Sequence, residues 1–120
     1  MNMDTDARLY AKAVLDLYLA LPETPTRVNR RDWSLALQLF QRAVPLPTIE
    51  AAFILASARR LCRPTDAPSL GSIRSLHYFL PVIEEVISQP LPAGYLDYLK
   101  HKIAKYRPQI SSTINPNFQL

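Results

Sequence analysis

Glycine is nearly missing from this chain, with 2 in 120 residues. So little glycine argues against the phosphate-cradling loops of nucleotide-binding folds and the tight turns of β-hairpins and barrels. A single cysteine, Cys62, cannot form an internal disulfide and points to a reducing compartment. The two histidines, His77 and His101, have no cysteine or carboxylate at metal-ligand spacing, and no C-x-x-C or H-E-x-x-H pattern occurs. No apolar run approaches the roughly 18–20 residues a membrane span needs. The first six residues are polar and acidic, without the basic and apolar regions of a secretory signal. The expectation is a cytoplasmic protein with no membrane segment, no metal and no cofactor.

What is abundant is proline, 11 residues, gathered between apolar periodic runs. That is the pattern of short helices joined by stiff connectors. Hydrophobic residues make up 48% and charged residues 20%, a globular composition for one domain. The first helix is expected from Asp6 to Ala20, with its stripe on Leu9, Tyr10, Ala13, Val14, Leu17 and Tyr18 and its cap among Asp4, Thr5 and Asp6. The second is expected from Arg30 to Ala43, facing inward with Trp33, Ala36, Leu37 and Phe40. The third starts at Pro47, a residue suited to a first helical turn, and ends at Leu61. It is apolar over most of its circumference and reads as the central helix. The fourth is expected from Ser72 to Ser88, kinked or in two pieces because Pro81 interrupts its pattern. The fifth runs from Ala93 to Tyr106 and ends at Pro108. The predicted fold is all-α, a compact orthogonal bundle of about five helices over residues 1–108, with a flexible or partner-bound tail at 109–120. The expected core is Leu17, Trp33, Leu37, Phe40, Ile49, Phe53, Leu76, Phe79, Ile83, Leu96 and Leu99.

Catalysis needs a nucleophile with a base, paired carboxylates or a metal cluster. Ser72 and Ser75 lack the elbow pattern of hydrolases and suit caps and loops. Glu84 and Glu85 are adjacent, so they point about 100° apart on a helix and read as a solvated face. His77 reads as a hydrogen-bonded residue at the core edge, His101 as part of a basic face, and Cys62 as an inert filler at a helix end. No catalytic residue can be named, and the chain is not expected to be an enzyme.

Charge carries more information. The net charge is +4, and it is distributed in blocks: −2 over residues 1–23, +5 over 24–63, −2 over 64–92 and +3 over 93–120. Arg59, Arg60 and Arg63 end the third helix and Arg74 opens the next. Lys100, Lys102, Lys105 and Arg107 lie on the fifth, and Arg27, Arg30 and Arg31 precede the second. If the fold brings these blocks together, it creates a positive face that binds phosphates by counterion release. Arg59, Arg60, Arg63, Arg74, Lys100, Lys102 and Lys105 are the candidate contacts. Tyr95, Tyr98 and Tyr106 alternate with the lysines, an interleaving that suits stacking on single-stranded bases as well as a helical core. Helices two and three have the outline of a helix-turn-helix, but the third opens with Thr48-Ile49-Glu50-Ala51-Ala52-Phe53, which is poor for reading base edges.

The stretches at 37–52, LQLFQRAVPLPTIEAA, and 73–85, IRSLHYFLPVIEE, taken in this order, resemble the C-terminal helical domain of DnaD-like replication proteins and small proteins of bacterial mobile elements. Tyr78, with Ile83 downstream, lies nearest the family's tyrosine–isoleucine motif. Pro81 and the lack of the following tryptophan depart from it. The resemblance implies a domain that binds DNA and the replication machinery. The reading from sequence is therefore a non-catalytic, DNA-binding or replication-adaptor module without sequence preference. Its partner would be DNA or a replication or mobile-element protein. The alternative is a protein–protein interaction or scaffold module, either a homo-oligomer or a regulator of a larger enzyme, using exposed apolar residues and the tail.

Overall fold

The computed structural model describes the backbone of residues 3–64, 66–68 and 70–114 and the side chains of 5–64, 66–68 and 70–105. The elements are α1 (Met3–Leu19), α2 (Arg30–Gln41), α3 (Leu46–Leu61), a 3₁₀ turn (Leu76–Phe79), α4 (Leu80–Ser88) and α5 (Tyr95–Ile114). Among the described residues there is no strand, and the all-α expectation holds. The side chains of Asp4, Tyr106 and Arg107, and the expected tail beyond residue 114, lie outside the described residues.

Helix α3 is central, packing on α1, α4 and α5. Ile49, Ala51, Ala52, Phe53, Leu55, Ala56, Ser57 and Ala58 are all buried. The run of alanines explains this position, because small side chains let several helices approach one axis closely. Aromatic rings lock the joint. Phe79 of the 3₁₀ turn meets Phe53 of α3 at 4.9 Å and the edge of Tyr18 of α1 at 5.9 Å, separations typical of favourable aromatic pairs. The Tyr18 hydroxyl is buried and finds no hydrogen-bond partner among the described residues. Burial, and then the Asp32 carboxylate, push its pKa up to about 12.

Helix α2 is turned relative to the face the sequence suggested. Its buried residues are Asp32, Leu35, Ala36 and Leu39. Trp33, expected in the core, keeps 38% of its surface exposed, and Leu37 and Phe40 only flank the core. The reason is Asp32, which is 1% exposed. The Asn29 backbone N–H donates to its Oδ2 at 3.0 Å, and the Leu76 N–H donates to its Oδ1 at 2.9 Å. The Asp32 N–H donates to the Asn29 side chain at 2.9 Å, completing a reciprocal capping box. A charged residue therefore occupies the first inward position of the stripe 32–35/36–39, and an apolar count passes over it.

Apart from the start of α4 and the end of α5, which move by eight residues, the other helix ends follow their sequence signals with shifts of one to a few residues. Helix α1 starts three residues earlier than Asp6, and Leu9 is 63% exposed while Ala11, Val14, Leu15 and Tyr18 are buried. Pro81 falls in the first turn of α4, where its missing N–H has no helical partner to lose. The 3₁₀ turn before it is the first piece of the interrupted segment. Residues 70–75 carry no helix, so α4 begins later than Ser72. Helix α5 continues through Pro108 to Ile114. Proline there removes the bond to the Ala104 carbonyl, and Ala104 is an exposed residue that can pass it to solvent. The end of α2 is a Schellman motif. The Ala43 N–H donates to Phe40 and the Val44 N–H donates to Leu39, at 2.9 and 3.1 Å. Ala43 takes φ +58°, a left-handed conformation that favours glycine.

Two substitutions test these joints. Asp32→Ala opens the capping box and leaves the buried Leu76 N–H without its acceptor, and is expected to cost about 2–4 kcal/mol in urea unfolding. Ala43→Gly, at an exposed site, is expected to raise stability by about 1 kcal/mol by relieving the left-handed backbone.

Candidate functional site

The seven basic residues singled out from sequence do not form one positive face. Arg59 forms a two-pronged pair with Glu85 of α4, at 2.9 and 2.7 Å. Arg60 turns inward, and its side chain keeps 8% of its surface exposed. It donates to the Glu23 carboxylate through Nε at 3.1 Å and also through Nη2, to the Tyr78 hydroxyl at 2.9 Å and to the Gly71 carbonyl at 2.8 Å. Its guanidinium lies 5.3 Å from the Tyr78 ring centre. Arg63 donates to the Pro68 carbonyl at 2.6 Å. Arg60 and Arg63 thus hold the connector between α3 and the 3₁₀ turn against the body. Glu23, with φ +66°, is pinned from both ends, since its carbonyl also accepts the Ile73 N–H at 2.9 Å.

The sequence placed Glu84 and Glu85 on a solvated face, and both side chains are about half exposed. Both also bind arginines, Glu84 pairing with Arg42 at the end of α2 at 2.7 and 2.9 Å. Hydrogen bonding from Arg42 and Arg59 holds the two carboxyls below the ordinary glutamate range. The 100° between adjacent helix positions is what allows one helix to strap two neighbours, α2 and α3.

What the fold does bring together is an aromatic and basic surface around Arg59. On one side of it is a depression of about 380 Å³ bordered by Arg60, Arg63, Leu70, Tyr78 and Val82. On the other is one of about 230 Å³ bordered by Cys62, Tyr95, Tyr98, Leu99 and Lys102. Tyr78, Tyr95 and Tyr98 are 43%, 39% and 52% exposed. The Tyr95 and Tyr98 rings stack, with centres 5.8 Å apart and planes 25° apart, and the Lys102 ammonium lies 5.6 Å from the Tyr98 ring centre. The heptad geometry of α5 explains the row. Leu96, Leu99 and Ile103 face α3, which leaves Tyr95, Tyr98, Lys102 and Lys105 along the adjoining edge.

Two of the seven residues lie apart. Arg74 borders a cleft with Thr24, Pro25 and Ser72, and Glu23, the partner of Arg60, lines it too. Lys100 borders a fourth hollow with Leu21, Pro22, Ile54 and Ile103. Lys105 is exposed on α5. His77, expected to be hydrogen-bonded at the core edge, is exposed. His101 is exposed, with Nδ1 2.9 Å from the Asp97 carbonyl. Among the described residues no cluster of histidine, cysteine and carboxylate could hold a metal ion. The opening turns of α3 are buried at Ile49, Ala51, Ala52 and Phe53, so α3 cannot enter a major groove as a recognition helix.

The sequence pointed to the tyrosines of α5 and to Arg59. It did not point to Tyr78 as their neighbour, nor to the carboxylates that occupy the arginines, because those partners stand 18–37 residues away. The paired carboxylates imply a titration. Glu84 and Glu85 have lowered pKa values in the fold, so their stabilisation is present above the ordinary value of 4.5 and is lost as pH falls through the folded values. In denaturant unfolding from about pH 6 to about pH 3, the Glu84→Gln, Glu85→Gln double variant should lose less stability than the parent. The chain matches no protein-family profile, no curated protein and no solved structure.

Proposed function

We propose that the protein is a non-catalytic nucleic-acid-binding module that serves as an adaptor in bacterial replication or in a mobile element. The observation that carries this reading is the surface around Arg59, where the stacked, exposed Tyr95 and Tyr98 adjoin Lys102 on one side and the exposed Tyr78 shares a depression with Arg63 on the other. Rings beside cations are the combination that takes bases and phosphates together. The resemblance to DnaD-like C-terminal domains points the same way. Phosphate contact falls to Arg63, Lys102 and Lys105, with Arg74 and Lys100 at the periphery. Arg59 contributes only when a phosphate competes with Glu85 for its guanidinium. Arg60 is withdrawn from the contact set, because its side chain is almost fully buried and already satisfied.

A second reading, a protein-interaction module, is favoured by the apolar residues Leu9, Trp33, Leu70 and Ile87, which are 38–63% exposed. Tryptophan, tyrosine and arginine at a surface are also the composition of interface hot spots.

Fluorescence anisotropy with labelled DNA at about 50 and about 200 mM salt separates the two. Binding should weaken steeply at the higher salt. Lys105→Ala should make the logarithmic salt slope shallower by about one. Arg60→Ala should leave that slope unchanged and lower the melting temperature. Absence of binding at the lower salt, with a concentration-dependent mass in light scattering, would replace the nucleic-acid reading with the second.

A further inference from the structure

We infer that the Tyr95–Tyr98 pair of α5 is a stacking platform for the unpaired bases of single-stranded nucleic acid, so that the single-stranded form is bound in preference to the duplex. The inference rests on the nucleic-acid reading above and names the form and the atoms.

Four features lead to it. The two rings already stack on each other at 5.8 Å and 25°, so a row of parallel π-faces exists before any ligand arrives. Side chains on a helix lean towards its N-terminus, which orders the row as Lys102, Tyr98, Tyr95 along the edge of α5. Its outer end, Tyr95, stands at the first residue of the helix, preceded by Gly94 at φ +85°. Gly94 has no side chain, and a Cβ placed there would meet nothing within 4 Å. The approach to the end of the row is open, and a flat base can extend it.

Charge complements the rings. The ammonium of Lys102 lies 5.6 Å from the Tyr98 ring centre and the Arg59 guanidinium borders the same depression. Lys105 follows Tyr98 at seven residues, two helical turns along the same edge. A strand whose bases lie on Tyr95 and Tyr98 therefore passes its phosphates near two lysines. Asp97, three positions before Lys100, lies on the exposed face away from this edge by helical register.

The shape of the site selects the ligand. The depression holds about 230 Å³, below the roughly 300–1,000 Å³ of pockets that enclose small molecules. It is a shallow ledge, suited to one face of a planar group. In a duplex every base face is covered by its neighbours, so a ledge of tyrosines gains nothing from it except backbone contacts. In a single strand the faces are free, and stacking is tolerant of sequence because every base has one. The cation stripe alone would not distinguish the two forms. The rings do.

The test uses the full-length chain and two probes, a fluorescein-labelled oligothymidylate and a labelled hairpin duplex of equal phosphate count, at about 50 mM salt. The oligothymidylate should bind the tighter of the two. Tyr98→Ala should weaken its binding by roughly tenfold, the loss expected for removing one stacked ring, and leave duplex binding unchanged. Tyr98→Phe should retain the affinity, because it keeps the ring and removes only the hydroxyl. Tyr98 is half exposed, so the melting temperature should be the parent's in both variants. If the parent binds DNA and Tyr98→Ala binds the single strand equally well, or if the hairpin is preferred, the platform is overturned and the phosphate-contact reading stands. If the parent binds neither probe, both fall. A Tyr95→Ala, Tyr98→Ala double variant that changes the mass in light scattering would then mark the rings as a contact between copies of the chain.

Discussion

One buried carboxylate organises the molecule. Asp32 is 1% exposed, and a charged group so far from water requires hydrogen-bond donors around it. Its two oxygens take the N–H groups of Asn29 and Leu76. The first bond closes the cap that starts α2. The second reaches 44 residues along the chain to the residue that starts the 3₁₀ turn. The beginning of α2 and the beginning of the segment that becomes α4 are thus held by the same side chain. With Leu76 fixed, Phe79 falls between Tyr18 and Phe53. The next turn of α4 then carries Glu84 to Arg42 and Glu85 to Arg59.

That sequence of placements reinterprets the charge blocks. The +5 block at 24–63 and the −2 block at 64–92 look in one dimension like separate faces. Folded, they are in part partners. Arg42 and Arg59 from the basic block meet Glu84 and Glu85 from the acidic one, and Arg60 meets Glu23 from the acidic N-terminal block. Exposed ion pairs of this kind contribute little each, but here they act between helices that share the Asp32 joint, and they settle which surface keeps an unbalanced charge. Two places keep it: Arg27, Arg30 and Arg31 stand exposed at the entry to α2, and Lys100 and Lys105 stand exposed on α5.

The same geometry decides what the sequence could reveal. The helix count, the central position of α3 and the two-piece form of the fourth segment are local properties. They follow from apolar spacing, alanine content and the position of Pro81, and they were legible. The orientation of α2 was not. Its inward stripe begins with Asp32, and an apolar count shifts the face towards Trp33, Leu37 and Phe40. The capping-box signature, an asparagine three residues before an aspartate, was visible at Asn29 and Asp32, but not the N–H of Leu76 that draws the carboxylate inward. The arginines suffered the same loss. Their basicity is written in the sequence, whereas their carboxylate partners stand 26–42 residues away and become neighbours only when α4 and the connector after α1 are docked.

These distant pairings bear on the kind of ligand the surface can take. A phosphate arriving at Arg59 must displace Glu85 from both prongs of the guanidinium, exchanging one charge-assisted pair for another with little net gain. A phosphate at Arg60 must in addition break bonds to Tyr78 and Gly71 and free the connector they hold. A planar group arriving at Tyr95 or Tyr98 displaces no intramolecular carboxylate. It covers ring surface that water already touches, and it leaves every ion pair in place. This face has committed Arg59, Arg60 and Arg63 to intramolecular partners and left Tyr95 and Tyr98 exposed, so under the proposed nucleic-acid reading its affinity falls to the rings, with the lysines of α5 supplying long-range attraction.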